Sequence, residues 1–161
     1  VDLSQIDSEI IFEWSNLECP YVKRHYGSNN MQTTQKFAKS KNVIWITVIS
    51  SAEGKQGYIQ PNDAVNTFAS FGSFPDHILV DENGDLGKKF NAKTTPHIFI
   101  ADKNKNIVYQ GAIDDAGGSR FWTTDLNQST NFVKKVINDI KSNKPLSVSK
   151  TRPYGCSVKY G

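Results

Sequence analysis

Cysteine is scarce in this chain: of 161 residues only two, Cys19 and Cys156, are cysteines. A structural zinc site needs about four ligands at short local spacings, and these two residues lie near opposite ends of the chain, so no metal site is predicted. An even count does allow a disulfide, which suits an oxidising compartment. The loop-entropy model gives such a long-range link a stabilisation of about 5 kcal/mol.

Other features are missing as well. No apolar run is long enough to cross a bilayer, so we predict no membrane-spanning segment. The net charge is only +3, and no basic stripe is interleaved with aromatic residues, so nucleic acid is not an expected partner. The loop Gly54–Gly57 lacks the G-x-x-x-x-G-K-[ST] spacing that cradles phosphate, which favours a plain loop over a nucleotide site. We predict no cofactor.

Length and composition favour one domain with its own hydrophobic core, since 37% of the 161 residues are apolar. We predict a single domain over residues 1–161, in which residues 143–161 form a polar C-terminal tail that carries Cys156. The sequence begins at Val1 with neither an initiator Met nor a signal peptide, as expected if a targeting segment was removed or the sequence was shortened. We expect a periplasmic or otherwise exported protein, with the cytoplasm as the alternative.

Hydrophobic patterning predicts strands that alternate with helices. The chain then closes with a hairpin and a last helix, which is typical of an α/β fold in three layers. The predicted strands are Glu9–Trp14, Val43–Ile49, His77–Val80, His97–Ala101 and Ile107–Gly111, and the predicted helices are Pro20–His25, Met31–Ser40 with Asn30 as its cap, Pro61–Phe71, Asp85–Phe90 and Ser129–Ser142.

Cys19 lies between the first predicted strand and a helix that Pro20 opens, a position where the missing N–H of proline costs nothing. Unpaired backbone N–H groups and the positive end of the helix dipole favour the thiolate there. Because the thiolate is the nucleophilic form, this placement suits redox chemistry. The alternatives are a buried structural cysteine and one half of a disulfide.

Three motifs carry a resemblance to a known family: Glu-Trp-x-Asn-x-x-Cys-Pro-Tyr-Val-x-x-His-Tyr over residues 13–26, Thr95-Pro96 directly before a strand, and Tyr-Gly-Cys-Ser-Val-Lys-Tyr over residues 154–160. With these motifs the chain resembles the thioredoxin-fold redoxins, the group of AhpC/TSA, peroxiredoxin-like and thiol–disulfide oxidoreductase-like proteins, and in particular a bacterial subgroup. The resemblance extends from Leu3 to Tyr160. It implies a thioredoxin-like α/β fold, with a central mixed sheet flanked by helices on both faces.

The resemblance also implies roles for individual residues. Cys19 is the expected nucleophile, and Cys156 either resolves the intermediate or forms a static link that pins the tail. Pro96 matches the cis-proline of thioredoxin folds, and the backbone of Thr95 before it is expected to bond a substrate in strand fashion. The other candidate substrate-binding residues are Trp14, Asn16 and Tyr21, and the candidates for tuning the thiolate or shuttling its proton are His25 and His97. Plain core packing is the alternative role for these aromatic and histidine residues.

The chain departs from the family pattern at three positions, and these departures bear on the partner thiol and on the substrate. Val22 stands where thioredoxins have their second cysteine, so the partner thiol must be Cys156 or come from another molecule. Asn16 replaces the threonine of peroxiredoxins, and Pro96 stands about where they have an arginine. These departures favour a disulfide over a peroxide as substrate.

The predicted function is therefore a thiol-dependent oxidoreductase with an antioxidant role in cell redox balance. Its partners would be a thiol or disulfide protein, or a peroxide, together with an unidentified reductant. The alternative is a non-catalytic thioredoxin-fold module that binds a partner chain and keeps a permanent Cys19–Cys156 disulfide. The sequence does not indicate an oligomeric state.

Overall fold

The computed structural model describes residues 2–161 and contains seven strands and five α-helices in that range. In chain order they are β1 (Ile10–Trp14), α1 (Pro20–Gly27), α2 (Asn30–Ser40), β2 (Ile44–Ile49), α3 (Ala64–Ser70), β3 (His77–Val80), α4 (Asp85–Phe90), β4 (Thr94–Thr95), β5 (His97–Ala101), β6 (Ile107–Gly111), α5 (Phe132–Lys141) and β7 (Cys156–Ser157).

Five of the strands form one mixed sheet in the order β3-β2-β1-β5-β6. The pairs β1–β2 and β2–β3 are parallel, whereas β1–β5 and β5–β6 are antiparallel. The central strand, β1, is buried at every residue. An almost continuous apolar run is what a strand covered on both faces requires, and Ile10-Ile11-Phe12 supplies it.

Alternate residues of the sheet enter two separate cores, because successive side chains of a strand point to opposite faces. On one face, Ile11 of β1 packs with Val22 of α1, Met31 of α2 and Val136 of α5. On the other face, Phe12 and Trp14 pack with Phe90 of α4 and Phe99 of β5. The predicted central mixed sheet with helices on both faces is confirmed.

A carboxyl group interrupts the first of these cores. Glu13 of β1 is completely buried, and its carboxylate accepts hydrogen bonds from Trp45 Nε1 (3.0 Å), Thr47 Oγ1 (3.0 Å) and the hydroxyl of Tyr26 (2.9 Å). Buried polar groups persist in cores only when they are paired in this way. Even so, burial outweighs these bonds and raises the pKa of Glu13 above its usual value.

The structure corrects several predicted boundaries. Asn29, not Asn30, precedes α2, and Asn30 is its first residue. Pro61–Asp63 form a separate 3-10 turn, so the helix predicted from Pro61 begins as an α-helix only at Ala64. The last helix begins at Phe132 instead of Ser129, because the Asn131 side chain accepts a hydrogen bond from Lys134 N (3.0 Å) and caps the helix there.

The C-terminal tail is more ordered than its polar composition suggests. Residues Cys156 and Ser157 form strand β7, which pairs with β4 in a second, two-stranded sheet. Further back, Lys150 bridges to Gln110 of β6. Among residues 2–161, no helix combines the length and the apolar character needed to span a bilayer.

Substituting the buried carboxyl, Glu13→Gln, is expected to change the pH dependence of folding. Since the pKa of Glu13 is raised in the folded chain, the wild type should lose free energy of unfolding as the pH rises from the unfolded-state value through the folded-state pKa. The variant has no proton to lose and should escape this loss. Denaturant unfolding at a series of pH values from about 4.5 to 8 measures the difference. Parallel curves for the two proteins would contradict the prediction.

Candidate active site

Cys19 occupies the predicted junction between strand and helix. It is the residue that precedes α1, and its backbone N–H donates to Asn16 O (3.0 Å) while its carbonyl accepts from Lys23 N (2.9 Å). Pro20 is the first helical residue, where its missing N–H leaves no bond unmade. The sulfur therefore lies at the positive end of the α1 dipole, which favours a thiolate when the cysteine is reduced.

Asn16 shapes the loop that delivers Cys19. Its side-chain oxygen accepts from Glu18 N (2.9 Å), and its amide donates to the backbone oxygen of Gln56 (3.3 Å). Glu18 in turn accepts from the backbone N–H of Gly57. The loop before the cysteine is thus tied to the loop that follows β2.

Cys19 and Cys156 form a disulfide, with their Cα atoms 6.1 Å apart. The bond places β7 alongside β4, with Cys156 opposite Thr95 and Ser157 opposite Thr94 in an antiparallel pair. The peptide bond between Thr95 and Pro96 is cis, and Thr95 O lies 3.4 Å from Cys19 Sγ. The structure therefore brings Cys19, Cys156, Thr95 and Pro96 together at one place.

Gly155 allows this close approach. Its φ is +147°, and a Cβ atom added there would overlap the carbonyl oxygen of Thr95. Only glycine combines that backbone conformation with the absence of a side chain. The residue before the tail cysteine thus decides how near β7 can come to β4.

Cys19 is covered in the disulfide form. Its exposed fraction is 0%, whereas Cys156 is only partly buried. Beyond Cys156 the tail continues to follow the body of the protein: Val158 N donates to Lys93 O (3.1 Å), and the Tyr160 hydroxyl donates to Ala92 O (2.8 Å). A partner that needs the Cys19 sulfur must therefore displace part of the tail.

The two aromatic candidates lie in different surroundings. Trp14 is fully buried in the core on the α4 face, where it packs on Phe90 and Phe99 and donates to Ser50 Oγ (3.0 Å). Tyr21 is half-buried on α1, and its ring centroid lies 4.9 Å from that of Phe121. Trp14 thus makes core contacts, whereas Tyr21 reaches the surface near the tail.

Both candidate histidines are neutral at physiological pH. Burial lowers the pKa of His25 to about 3 and that of His97 to about 4, with a smaller contribution from the neighbouring charges of Arg24 and Lys93. His97 Nδ1 accepts from Lys93 N (3.0 Å), and His25 bonds Asn30 and Tyr154. These bonds hold each ring in place.

Sequence reasoning missed a polar cluster on the far side of the tail. Asp114, Asn30 and Tyr154 join His25 there, and Asp114 is 1% exposed. Tyr154 belongs to the late tyrosine-glycine-cysteine motif, and Asp114 follows the end of β6; neither signal says that the two residues meet. Within residues 2–161, His, Cys, Asp and Glu form no group of three or more suited to a metal ion.

Comparison with known proteins shows the family and the fold of the chain. The model of the Redoxin family matches residues 1–123. An uncharacterised conserved protein from Geobacillus kaustophilus is 20% identical, with a TM-score of 0.82 over 100% of this chain and 82% of that one. A thioredoxin-like protein from Aeropyrum pernix is 23% identical, with a TM-score of 0.54 over 69% of this chain and 73% of that one.

A third solved structure, the thioredoxin domain of a thiol–disulfide oxidoreductase from Bacteroides vulgatus, is 15% identical, with a TM-score of 0.54 over 90% of this chain and 86% of that one. These likenesses show an α/β thioredoxin-like fold. No curated protein matches the chain. The predicted resemblance to redoxins is confirmed at the level of the family, and the bacterial subgroup stays a prediction.

The substitution Gly155→Ala is expected to push β7 away from β4 and to lower the fraction of chains that close the Cys19–Cys156 disulfide. The added Cβ must overlap Thr95 O, and backbone strain of this kind costs about 1–3 kcal/mol. Mass spectrometry after equilibration at a fixed ratio of reduced to oxidised glutathione measures the disulfide fraction.

Gly118→Ala is the matched control for this substitution. Gly118 also has a positive φ, +94°, but a Cβ there meets nothing within 4 Å. It carries the same kind of backbone cost without the overlap, so its disulfide fraction should stay near that of the wild type. Equal losses in the two variants would show that the contact with Thr95 has no effect.

Proposed function

The chain belongs to the Redoxin family, and on that premise we propose that it is a thiol–disulfide oxidoreductase with Cys19 as nucleophile and Cys156 as resolving thiol. One observation carries the proposal: the disulfide joins a cysteine at the start of α1 to a tail cysteine that pairs with Thr95, next to the cis Thr95–Pro96 bond. In this proposal the tail supplies the partner thiol that Val22 cannot.

The proposed reaction has two exchange steps. The Cys19 thiolate attacks one sulfur of a substrate disulfide, forms a mixed disulfide with it and releases the other sulfur as a thiolate. The Cys156 thiolate then attacks Cys19 Sγ, which closes the Cys19–Cys156 bond and releases the substrate in its reduced form. One dithiol or two monothiol molecules then reduce the Cys19–Cys156 bond by the same kind of exchange and are themselves oxidised to a disulfide. The dipole of α1 stabilises Cys19 whenever it is the attacking or leaving thiolate.

The backbone of β4 is the proposed substrate contact. In the disulfide form, Thr94 and Thr95 are paired with Ser157 and Cys156 of the tail. An extended substrate segment with its own sulfur near Cys19 would occupy the same strand position. Substrate binding therefore requires β7 to leave β4. Pro96 and the half-buried ring of Tyr21 would border the vacated groove.

Peroxiredoxins have an arginine about where Pro96 stands in this chain, and Arg24 does not take over its role. This favours disulfide chemistry over peroxide chemistry. The Arg24 guanidinium donates to the carbonyl oxygens of Phe121 and Thr124, and so is committed to the loop before α5. Asn16, which stands in the place of the peroxidase threonine, uses its side chain on Glu18 and Gln56. Neither residue is thereby available to polarise a peroxide at Cys19.

A second candidate function is a binding module with a permanent disulfide. The observation that favours it is the complete burial of Cys19 beneath the tail. The reduction potential separates the two candidates, because structural disulfides have potentials below about −300 mV, whereas exchanging ones are less negative.

In either case a stable disulfide suits an oxidising compartment, and we propose that the protein is exported.

Cysteine substitutions test the proposed reaction. With a fluorescent peptide disulfide as substrate and glutathione as reductant, Cys19→Ser should reduce turnover to the uncatalysed rate, because the nucleophile is gone. In a separate reaction without glutathione, reduced Cys156→Ser should retain the first attack and accumulate a mixed disulfide between Cys19 and the peptide, which mass spectrometry of the alkylated protein detects. Circular dichroism provides the check that both variants fold.

Two results would argue against the enzyme. Turnover by Cys19→Ser at the wild-type rate would remove Cys19 from the reaction. A folded wild type that closes its disulfide but never reduces the peptide would support the binding module instead.

A further inference from the structure

We propose that Tyr154 is a positioning residue: its hydroxyl pins the tail to a buried polar network, so that Cys156 can swing away from Cys19 about Gly155 and return. The inference rests on the proposed function, since it concerns what happens to the tail when the disulfide opens. It gives a role to His25, Asn30, Asp114 and Tyr154, which the exchange steps do not use.

The network closes on itself. The Tyr154 hydroxyl donates to Asp114 Oδ1 and lies 3.2 Å from His25 Nε2. The Asn30 amide lies 3.0 Å from His25 Nδ1 and donates to Asp114 Oδ2 (3.1 Å). Ala116 N adds a further bond to Asp114 Oδ1 (3.1 Å). Four separate parts of the chain, α1, the start of α2, the segment after β6 and the tail, thus meet through one set of hydrogen bonds.

The protonation states of His25 and Tyr154 give each of their hydrogens one acceptor in the network. His25 is neutral because burial lowers its pKa to about 3. Its Nδ1 accepts from Asn30, so Nε2 carries the hydrogen and donates to the oxygen of Tyr154. The hydrogen of Tyr154 is then free for Asp114. Removing Tyr154 would leave a buried carboxyl and a buried imidazole each short of a partner, which is costly in a low-dielectric interior.

Packing reinforces the anchor. The Tyr154 ring lies 5.3 Å from that of Phe121 and 6.0 Å from that of Tyr21, both edge-on, and it fits against Gly117. Aromatic pairs in this arrangement attract each other beyond the effect of buried area. None of these contacts involves Cys19 or Cys156, so opening the disulfide removes none of them directly.

The tail beyond Gly155 is held differently. There the contacts are the backbone pairing of β7 with β4, backbone bonds such as Val158 N to Lys93 O, and the Tyr160 side chain, whose hydroxyl donates to Ala92 O and whose ring lies beside Lys88. An incoming extended chain can replace the backbone bonds of β7 one for one. An incoming chain has no group that replaces the side-chain hydrogen bonds of Tyr154.

Chain length then limits how far Cys156 can travel. Two residues of extended chain span at most about 7 Å, so Cys156 stays within about 7 Å of Tyr154 while Tyr154 is held in place. Gly155 supplies the backbone freedom for the movement, because it has no side chain to collide with Thr95. Cys156 can thus vacate the groove and still remain at a high effective concentration near Cys19.

The closing step of the disulfide tests this proposal. Reduced protein is mixed with oxidised glutathione, samples are quenched with N-ethylmaleimide, and mass spectrometry follows the mixed disulfide as it converts to the Cys19–Cys156 bond with release of glutathione. Tyr154→Phe keeps the ring and removes only the hydroxyl. We expect it to slow closure about 3- to 10-fold, the effect of losing one hydrogen bond while Thr151 still holds the tail through Tyr109 and Ala112.

The matched control is Tyr160→Phe, which makes the same change in the same tail but four residues beyond Cys156. Because Tyr160 lies outside the hydrogen-bond network of Tyr154, its closure rate should stay within about twofold of the wild type. Closure of Tyr154→Phe at the wild-type rate would overturn the proposal, and so would equal slowing in the two variants.

A second pair of variants tests the partner of Tyr154. Asp114→Asn keeps an acceptor of the same shape without the charge, and should slow closure less than Tyr154→Phe does. The double variant should close no more slowly than Tyr154→Phe alone, because Asp114→Asn acts through a contact that Tyr154→Phe has already removed. Fully additive slowing would overturn the proposed link. These rates need no substrate, so a protein that closes as expected but reduces no peptide disulfide would refute the proposed function and leave the anchor standing.

Discussion

The contact between the chain's last strand and the loop before β5 governs the rest of the site. Cys156 pairs with Thr95 on one side and bonds to Cys19 on the other, so one residue joins α1, the cis-proline loop and the tail. The fully buried residues of the two cores all precede the tail, and Leu146 and Val158 of the tail pack against them from outside. In this disulfide form Cys19 has no exposed surface.

Two buried acidic residues give this architecture its polar framework. Glu13 lies within the core between β1, β2 and α1, where Trp45, Thr47 and Tyr26 satisfy its carboxyl group. Asp114 lies between α2 and the tail, where Asn30 and Tyr154 donate hydrogen bonds to its carboxyl group. Burial raises the pKa of both carboxyls, and their hydrogen bonds fix orientations that apolar contacts leave free. One network secures a helix against the sheet, and the other secures the tail against the helices.

Most of the fold could be predicted from local patterns. The strands His77–Val80, His97–Ala101 and Ile107–Gly111 have the predicted bounds, since β-branched runs between turn residues specify strands locally. Boundaries failed where one side chain decides them. Asn131 caps α5, so the helix begins at Phe132, three residues after the predicted start at Ser129. Asn30 turns its amide toward His25 instead of capping α2. Such choices depend on partners that are remote in the sequence.

The sequence by itself determined that Cys19 stands at a strand-to-helix junction, because strand runs and a helix-opening proline are local signals. It also determined that Val22 cannot be the partner of Cys19, because valine has no thiol. Only the tertiary structure decided that Cys156 is that partner, that Trp14 faces the opposite core, and that Tyr154 reaches Asp114. The physical reason is distance along the chain. The two cysteines are 137 positions apart and Tyr154 is 40 positions from Asp114. Pairing between such remote residues is set by how the sheet and helices pack, and no local periodicity records it.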